Sequence, residues 1–432
     1  MNNDVSSMTT TLQVRGALPS SGSVQRKGTI LILLTLGAFA LRIGVTQWLA
    51  GGLNKPADGD EVQFVQLASS LADGRGFSDP DGTPHSYRTP GIPFLVSLIF
   101  ILTGKSILAC RIYMCVLASL LIPICYGLGK AVGETRAGLL SAAAAVIFPN
   151  WLFYSGAILS DLPAACLIGI TAWLSIEAWK RKTAWLYVGA GISLGLAALV
   201  RPTCLAFAPV LGIWILCVTR GFRQAVRYIL AIWISVAGIA GSWFLRNSVI
   251  CGHLLGLSSQ GGYTLWIGNN PNATGILSSD LAYFDNISPK VFPYPRYRTD
   301  RERAAATEAD ARRFILENPG RFLWLCGAKF IQLWKVFSPR VSLLDNVLTL
   351  ASLGVLLPFF LLRLFGFAWR RAPDMLFALL IATQTLIHCV YTAIVRYRIP
   401  VEPLLVAMSI MGVCWVYDRL RRAGGLKVQP AL

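Results

Sequence analysis

The sequence predicts an all-α fold, a polytopic transmembrane helical bundle with about ten crossings, interfacial helices and a small extracytoplasmic loop domain. The chain has 432 residues, of which 55% are hydrophobic and only 14% are charged. Its mean hydropathy is +0.58, which is too high for a soluble protein of this size. Apolar runs long enough to cross about 30 Å of hydrocarbon recur along the chain, separated by short charged links. Such continuous runs differ from the alternating pattern of an outer-membrane barrel.

The positive-inside rule orients these runs. The first leaves the cytoplasm after Arg26-Lys27, and later runs return to basic links such as Lys180-Arg181-Lys182. Both ends of the chain are therefore expected in the cytoplasm. The predicted crossings are 29–49, 106–128, 137–154, 162–179, 184–200, 203–218, 228–245, 346–362, 375–395 and 400–417.

Two apolar segments do not fit this series. Segment 92–102 is short for a crossing, and we expect it to be re-entrant or interfacial. Segment 322–337 carries Lys329 and Lys335, and we expect an amphipathic interfacial helix. Whether either crosses the membrane stays open. The predicted parts of the chain are a disordered cytoplasmic tail 1–28, an N-terminal membrane core 29–245 with outer loop 50–105, an extracytoplasmic loop domain 246–321, a C-terminal membrane region 322–418 and a cytoplasmic tail 419–432.

The distribution of charge argues against a nucleic-acid partner, and the spacing of the cysteines argues against a cysteine metal site or a disulfide framework. The net charge is +18, but the basic residues lie beside hydrophobic ends, as cytoplasmic retention charges do, so we expect no nucleic-acid partner. The ten cysteines are scattered singly, with neither metal-ligand spacing nor a disulfide framework. His85 and His253 are isolated in outer loops, where we expect them to be solvated rather than metal ligands. The sequence leaves a metal requirement unknown.

This topology gathers acids and arginines on the outer side of the membrane. Asp60 and Glu61 lie in the first outer loop, and Asp161 precedes a predicted crossing. Arginine is normally depleted on the outer side, and its guanidinium group matches phosphate in a bidentate way, so outer arginines predict anion binding. These arginines are Arg88, Arg201, Arg246, Arg396 and Arg398, with Arg42 and Arg111 in the outer halves of the first two spans.

Acids beside arginines predict a reaction in which one group loses a proton and another leaves as an anion. Transfer of a sugar from a lipid phosphate fits both demands, because a carboxylate activates the acceptor hydroxyl and arginines stabilise the departing phosphate. Attack on the opposite face of the sugar would invert the anomeric centre.

The same residues also have structural interpretations. Acids favour helix N-termini, and arginines snorkel or anchor helices at the membrane interface. These interpretations apply to Asp60-Glu61 and Asp161 as helix starts, to Arg201-Pro202 as an inter-helix turn, and to Arg396-Tyr397-Arg398 as an interfacial anchor.

In these residues the chain resembles the GT-C superfamily of polyprenyl-phosphate-dependent glycosyltransferases, in particular bacterial relatives of the protein O-mannosyltransferases and the lipid A aminoarabinose transferases. Each matching segment is short, but their order and spacing together are specific. The segments are Asp60-Glu61, Ala68, Gly74-Arg75-Gly76-Phe77, Tyr87-Arg88-Thr89-Pro90-Gly91-Ile92-Pro93, Leu159-Ser160-Asp161-Leu162-Pro163, Leu199-Val200-Arg201-Pro202, Trp243-Phe244-Leu245-Arg246-Asn247, Gly268-Asn269-Asn270-Pro271 and Arg396-Tyr397-Arg398-Ile399-Pro400.

The resemblance implies roles for these residues. Asp60 would be the catalytic base with Glu61 as its neighbour, and Asp161 would help to bind the acceptor or a divalent cation. It further implies a polyprenyl-phosphate sugar donor, a glycan, lipid or protein acceptor, and an active site on the extracytoplasmic face of the inner (plasma) membrane, among membrane lipid. No cofactor is certain, and the small outer C-terminal region leaves the acceptor undetermined. The implied phosphate-binding residues are Arg88, Arg201, Arg396 and Arg398.

Two other functions compete with transfer. A lipid-linked sugar transporter or flippase without catalytic activity should carry polar or charged positions through the middle of several spans. Here the charges gather at one face, apart from Arg42 and Arg111. A structural scaffold would leave the outer arginines unexplained.

Overall fold

The computed structural model describes residues 21–133, 135–252, 254–275, 300–337, 343–367 and 370–423. The regular structure within these ranges is helical, apart from an isolated bridge between Ser78 and Pro84. Two 3₁₀ turns, Pro202–Ala206 and Val395–Val401, and one π-helical turn, Leu350–Gly354, interrupt the helices. The helices are α1 (Ser21–Trp48), α2 (Asp60–Ala72), α3 (Gly91–Thr103), α4 (Ile107–Ser119), α5 (Leu121–Val132), α6 (Thr135–Val146), α7 (Pro149–Tyr154), α8 (Asp161–Arg181), α9 (Ala184–Val200), α10 (Phe207–Val218), α11 (Phe222–Cys251), α12 (Gln260–Gly268), α13 (Asp300–Glu317), α14 (Pro319–Trp334), α15 (Leu343–Thr349), α16 (Val355–Phe367), α17 (Ala372–Val390) and α18 (Glu402–Ala423).

The helices have the length and composition of membrane spans. Within the described ranges, seven segments are long and apolar enough to cross a bilayer, and four shorter helices are also apolar. Each predicted crossing overlaps one of these eleven segments, and segment 92–102 overlaps α3. The chain is therefore an all-α polytopic membrane protein, as predicted, and the number of crossings stays a prediction. The seven long segments are Gln25–Trp48, Ile107–Val132, Asp161–Arg181, Phe222–Cys251, Asn346–Gly366, Ala372–Val390 and Val395–Ala423.

Small residues let the helices approach one another closely. A Cβ atom on Gly191 of α9 would lie 2.6 Å from the carbonyl oxygen of Ile232 in α11. A Cβ atom on Gly129 of α5 would lie 2.5 Å from the Oγ atom of Ser141 in α6. Small residues are typical of helix interfaces in membranes, where close packing replaces the hydrophobic driving force.

The bundle has two chemically different ends. Helices α8 and α9 pack as a hairpin, so Asp161 at the start of α8 lies at the same end as Arg201, the residue after α9. The basic residues Lys180 and Arg181 lie at the opposite end of α8. Helix α18 follows the same pattern, because its first residue is Glu402 and its last turn carries basic side chains. The candidate site residues therefore gather at one end.

Helix α14 covers residues 322–334 of the segment 322–337, and its polar side is the buried one. Its lysine Lys329 is buried, and the Nζ atom donates to Asn269 Oδ1 (2.9 Å) and to the carbonyl oxygen of Val390 (3.0 Å). Its exposed side is apolar and includes Leu323 and Ile331. The lysine therefore faces protein, and it does not mark a water-facing surface as the sequence suggested.

Some predicted segments lie partly outside the described residues. Helix α1 begins at Ser21, inside the predicted tail 1–28, and residues 1–20 are outside. Residues 276–299 of the predicted loop domain 246–321, residues 424–432 of the C-terminal tail, and His253 are also outside. The domain boundaries stay predictions.

Candidate active site

Asp60 is the first residue of α2, and two arginines hold its carboxylate. The Nη2 atom of Arg88 donates to Oδ1 (2.8 Å), and the Nη2 atom of Arg396 donates to Oδ2 (2.8 Å). Both hydrogen bonds are charge-assisted and therefore stronger than neutral ones. Asp60 thus joins the first loop of the chain to the turn that precedes α18.

Asp161 extends this arrangement. Its Oδ1 atom accepts a hydrogen bond from Arg201 Nη1 (2.6 Å), and its Oδ2 atom lies 3.4 Å from Arg396 Nε. The five side chains alternate in charge in the order Arg88, Asp60, Arg396, Asp161, Arg201, and we call them the Asp–Arg cluster. Three arginines and two aspartates leave the cluster with a net charge of one positive unit. An anion is the natural partner for such a group.

The sequence around Arg88 explains why two of the arginines meet. Thr89 Oγ1 donates to the carbonyl oxygen of Val200 (3.3 Å). Gly91 starts α3 against the end of α9, where a Cβ atom would lie 2.8 Å from the Cα atom of Val200. Glycine at this position allows the backbones to touch. The contact places Arg88 and Arg201 at the same cavity.

Tyr397 supports two of the arginines through its ring. The guanidinium carbon of Arg201 lies 4.8 Å from the ring centroid, and that of Arg396 lies 5.9 Å away. Both distances suit a cation–π interaction. The imidazole of His388 stacks on Tyr397 with ring centroids 4.8 Å apart, and its Nδ1 atom lies 2.9 Å from the Thr392 carbonyl oxygen. Tyr397 was expected only as part of an interfacial anchor, and no sequence pattern pointed to His388.

The charge state of Asp60 follows from its neighbours. Partial burial alone would raise its pKa, but Arg88 and Arg396 outweigh burial and hold the pKa of Asp60 below its usual value. Asp60 is therefore ionised at neutral pH. Asp60 and Asp161 also lie in the first turns of α2 and α8, where the helix dipole favours acids. The structural interpretation of these acids is thus compatible with a functional one.

Two cavities meet at the Asp–Arg cluster. The small cavity has a volume of about 260 Å³ and the large cavity about 780 Å³. Asp60, Arg88 and Arg396 line both of them. Asp161 and Arg201 line only the small cavity, and its other walls include Phe64, Val200, Pro202, Leu205 and Leu257.

Glu61 has different hydrogen-bond partners from its neighbour Asp60. It is buried, and Arg111 donates to both carboxylate oxygens at 3.1 and 2.8 Å. The backbone N–H of Ile158 donates to the same carboxylate (2.9 Å), and Arg111 also donates to the carbonyl oxygen of Gly156. Glu61 lines the large cavity, but its hydrogen bonds tie α2 to α4 and to the loop that contains Ile158.

The structure does not bring Arg398 to the cluster. Arg398 is buried, lines neither cavity, and donates to Glu402 Oε1 (2.9 Å) and to the carbonyl oxygen of Leu333 (2.8 Å). Glu402 also accepts from the Nε1 atom of Trp151 (2.8 Å). Arg396 and Arg398 are two residues apart on the 3₁₀ turn, so they point in different directions.

The other arginines that the sequence predicted on the outer side, and His85, have structural contacts. Arg246 donates to the carbonyl oxygens of Phe77 and His85 and thereby fixes their loop. His85 is buried, so the expectation that it is solvated is wrong. Its Nδ1 atom lies 2.9 Å from Asp79 Oδ1, and its Nε2 atom accepts the N–H of Arg88 (2.9 Å). Arg42, in α1, donates to carbonyl oxygens of α1 and α6.

The described residues do not fit a divalent-cation site. In the part of the chain that the structure describes, no three His, Cys, Asp or Glu side chains gather to hold a metal ion. The carboxylates of Asp60 and Asp161 are already bound by guanidinium groups. Arginine supplies the positive charge at this site.

Comparison with known proteins supports the resemblance. Residues 87–243 match the family model of dolichyl-phosphate-mannose-protein mannosyltransferase. This range includes Arg88, Asp161 and Arg201 but not Asp60 or Arg396. No curated protein sequence matches the chain significantly.

Solved structures share the fold at low sequence identity. The archaeal oligosaccharyltransferase AglB from Archaeoglobus fulgidus, in complex with an inhibitory peptide and a dolichol-phosphate, is 14% identical with a TM-score of 0.60, over 96% of this chain and 53% of AglB. ArnT from Cupriavidus metallidurans bound to undecaprenyl phosphate is 13% identical with a TM-score of 0.57, over 94% of this chain and 63% of ArnT. The chain thus spans about half to three fifths of their length. It has the fold of these GT-C glycosyltransferases, which confirms the resemblance predicted from the sequence.

Proposed function

We propose that the chain is a membrane glycosyltransferase that moves a sugar from a polyprenyl-phosphate donor to an extracytoplasmic acceptor with inversion. The observation that carries this proposal is the position of Asp60, an ionised carboxylate held by Arg88 and Arg396 where two cavities meet. One cavity can admit each substrate, with a base and anion-binding groups between them. The structural likeness to AglB and ArnT is consistent with this proposal.

The donor phosphate fits the Asp–Arg cluster on the side of the small cavity. Arg88, Arg201 and Arg396 all border that cavity and can each present two N–H donors to phosphate oxygens. Aliphatic side chains form part of the neighbouring walls, with Val200, Leu205 and Leu257 among them. Such walls suit the first isoprene unit of the lipid. Arg398 lies outside this group, and we assign it a structural role.

Asp60 acts as the base, and binding of the donor phosphate raises its basicity. Before the donor binds, the ion pairs with Arg88 and Arg396 lower the proton affinity of Asp60. A phosphate competes for the same two guanidinium groups. When they turn toward the phosphate, Asp60 loses its ion pairs and becomes a stronger base.

The transfer is a single displacement. The acceptor hydroxyl gives its proton to Asp60, and its oxygen forms a bond to the anomeric carbon on the face opposite the phosphate. The bond between the anomeric carbon and the phosphate oxygen breaks, and its electron pair stays on the phosphate. Arginines stabilise this leaving group. The products are the inverted glycoside and polyprenyl phosphate.

Asp161 has a positioning role in this scheme. It binds Arg201 through one oxygen and approaches Arg396 with the other. It lines the small cavity and not the large one. We therefore assign Asp161 to orienting the phosphate-binding arginines, rather than to the acceptor or a cation.

The site is proposed to face the extracytoplasmic side, because the basic clusters lie at the opposite end of the bundle. In a cysteine-depleted chain, Asp58→Cys, in the exposed loop beside Asp60, should react with an impermeant maleimide added outside cells. Arg419→Cys, exposed near the end of α18, should react only after permeabilisation. The reverse pattern would overturn this orientation.

One experiment separates a transferase from a flippase. The purified chain is placed in vesicles that contain polyprenyl phosphate carrying radiolabelled mannose, glucose or aminoarabinose, with an acceptor extract. A transferase converts the donor to free polyprenyl phosphate and a labelled product whose anomeric configuration is inverted. A flippase moves the labelled lipid between leaflets with its glycosyl bond intact, and that result would contradict the proposal.

A further inference from the structure

We propose that the large cavity binds a sugar ring of the acceptor, so that the acceptor is a glycan; this rests on the proposed function and names its substrate class. Four aromatic side chains line the large cavity and are absent from the lining of the small one. Sugar rings present flat patches of C–H groups that pack on aromatic faces, while their hydroxyl groups bind charged and polar side chains. The four residues are Tyr87, Phe153, Tyr154 and Tyr263.

These aromatic residues come from three parts of the chain, since Phe153 and Tyr154 are adjacent, and they form two contacting pairs. The rings of Tyr87 and Tyr263 have centroids 6.4 Å apart, and those of Phe153 and Tyr154 lie 5.3 Å apart. All four are partly exposed, so they are not merely core residues. Rigid aromatic rings bind partners with little loss of conformational entropy.

Charged side chains complete the lining of the large cavity. Lys55 and Asp58 form an ion pair (2.8 Å), and Glu61 and Arg111 form another (2.8 Å). Such groups can donate and accept hydrogen bonds with sugar hydroxyls. The small cavity differs, because the described residues that line it include no Lys, Arg, Asp or Glu beyond the Asp–Arg cluster. The additional ion pairs and the larger volume assign a hydroxyl-rich, ring-shaped ligand to the large cavity, which leaves the small cavity for the lipid.

The volume favours more than one sugar ring. At about 780 Å³ the large cavity lies in the range of roughly 300–1,000 Å³ that is typical of small-molecule sites. A single donor sugar would fill only part of it, which leaves room for an acceptor ring beside Asp60.

Ligand binding is the first test. Saturation-transfer NMR would measure binding of mono-, di- and trisaccharides of hexoses and amino sugars to the chain in nanodiscs, with undecaprenyl phosphate present. Wild type should bind at least one glycan. Tyr263→Leu should weaken that binding about five- to tenfold, as expected for loss of one aromatic contact, and Tyr263→Phe should restore it.

A matched control uses Trp185, an exposed aromatic residue at the start of α9 and outside both cavities. Trp185→Leu should leave glycan binding unchanged. Equal binding by wild type and Tyr263→Leu, or no binding of any glycan in the panel, would overturn the inference.

Kinetics distinguish a donor sugar from an acceptor sugar in the large cavity. With an acceptor glycan, Tyr263→Leu should raise the KM of the glycan about tenfold and the KM of the donor by less than about twofold. A larger effect on the donor KM would assign the cavity to the donor sugar and overturn the acceptor assignment. Transfer to Ser/Thr peptides, with no transfer to glycans, would overturn it too. If wild type binds glycans but does not cleave the donor, the proposed function fails independently.

Discussion

Arg396 and Asp60 are 336 positions apart in the sequence, yet Arg396 Nη2 donates to Asp60 Oδ2 at 2.8 Å. The contact joins the start of α2 to the turn before α18. Arg88 holds the other oxygen of the same carboxylate. Asp60 therefore occupies the anion-binding position that we propose for the donor phosphate, and the first prediction depends on this competition.

The first prediction concerns the affinity for a phosphate. Asp60→Asn removes the internal anion that competes for Arg88 and Arg396. We expect undecaprenyl phosphate to bind about tenfold more tightly to this variant than to wild type, since each charge-assisted hydrogen bond is worth about 1.5–3 kcal/mol. Native mass spectrometry or a fluorescent-lipid titration would measure this change. Weaker binding would show that Asp60 supports the phosphate site instead of competing with the ligand.

The second prediction separates two arginines that the sequence treated alike. Arg396→Gln should weaken binding of undecaprenyl phosphate at least about tenfold, because it removes a charged donor from the cluster. Arg398→Gln should change the affinity of the folded protein by less than about twofold, since Arg398 pairs with Glu402 away from both cavities. Arg398→Gln should still lower the thermal midpoint. Equal losses of affinity would contradict this division.

The third prediction assigns Glu61 to stability. Glu61→Gln leaves the buried cation Arg111 without its anion, which should lower the free energy of unfolding by about 3–5 kcal/mol. Glu177→Gln is the matched control, because Glu177 pairs with the exposed Arg181 and such pairs contribute about 0–1 kcal/mol. Denaturant titration in detergent would measure both. A small effect of Glu61→Gln would show that the Arg111 contacts with carbonyl oxygens suffice.

The fourth prediction tests the contact that brings Arg88 to Arg201. Gly91→Ala places a Cβ atom 2.8 Å from the backbone of Val200, and overpacking of this kind costs about 1–3 kcal/mol. We expect weaker binding of undecaprenyl phosphate, because the helices must separate. Gly37→Ala is the control, since a Cβ atom there meets nothing within 4 Å. Unchanged phosphate affinity in Gly91→Ala would show that this contact does not position the arginines.

Much of the fold could be predicted because hydrocarbon thickness sets the length of apolar runs. The ten predicted crossings all overlap apolar helices. The direction of a polar side chain could not be predicted in the same way. Lys329 looked interfacial, but it faces protein and donates to Asn269. Membrane-facing and buried surfaces are both apolar, so hydropathy alone does not show which face of α14 is inside.

The candidate site was predicted in part. The sequence suggested Asp60, Asp161 and the arginines. Placing acids and guanidinium groups close to a bilayer costs free energy, so those that are present are candidates for a functional role. The sequence could not show that Arg396 and Arg398 point in different directions. Residues two apart lie on the same face of a strand but on different faces of a 3₁₀ turn. Nor could the sequence show that Glu61 forms an ion pair with Arg111, because that contact depends on tertiary packing.

The most direct test of the central claim is the rate of sugar transfer by Asp60→Asn in a single turnover, with donor and acceptor saturating. Asparagine keeps the shape of the side chain but cannot take the acceptor's proton. We expect a loss of about 10²-fold or more in that rate, with the protein folded and undecaprenyl phosphate bound. Transfer by Asp60→Asn at a rate close to that of wild type would contradict the assignment of Asp60 as the base.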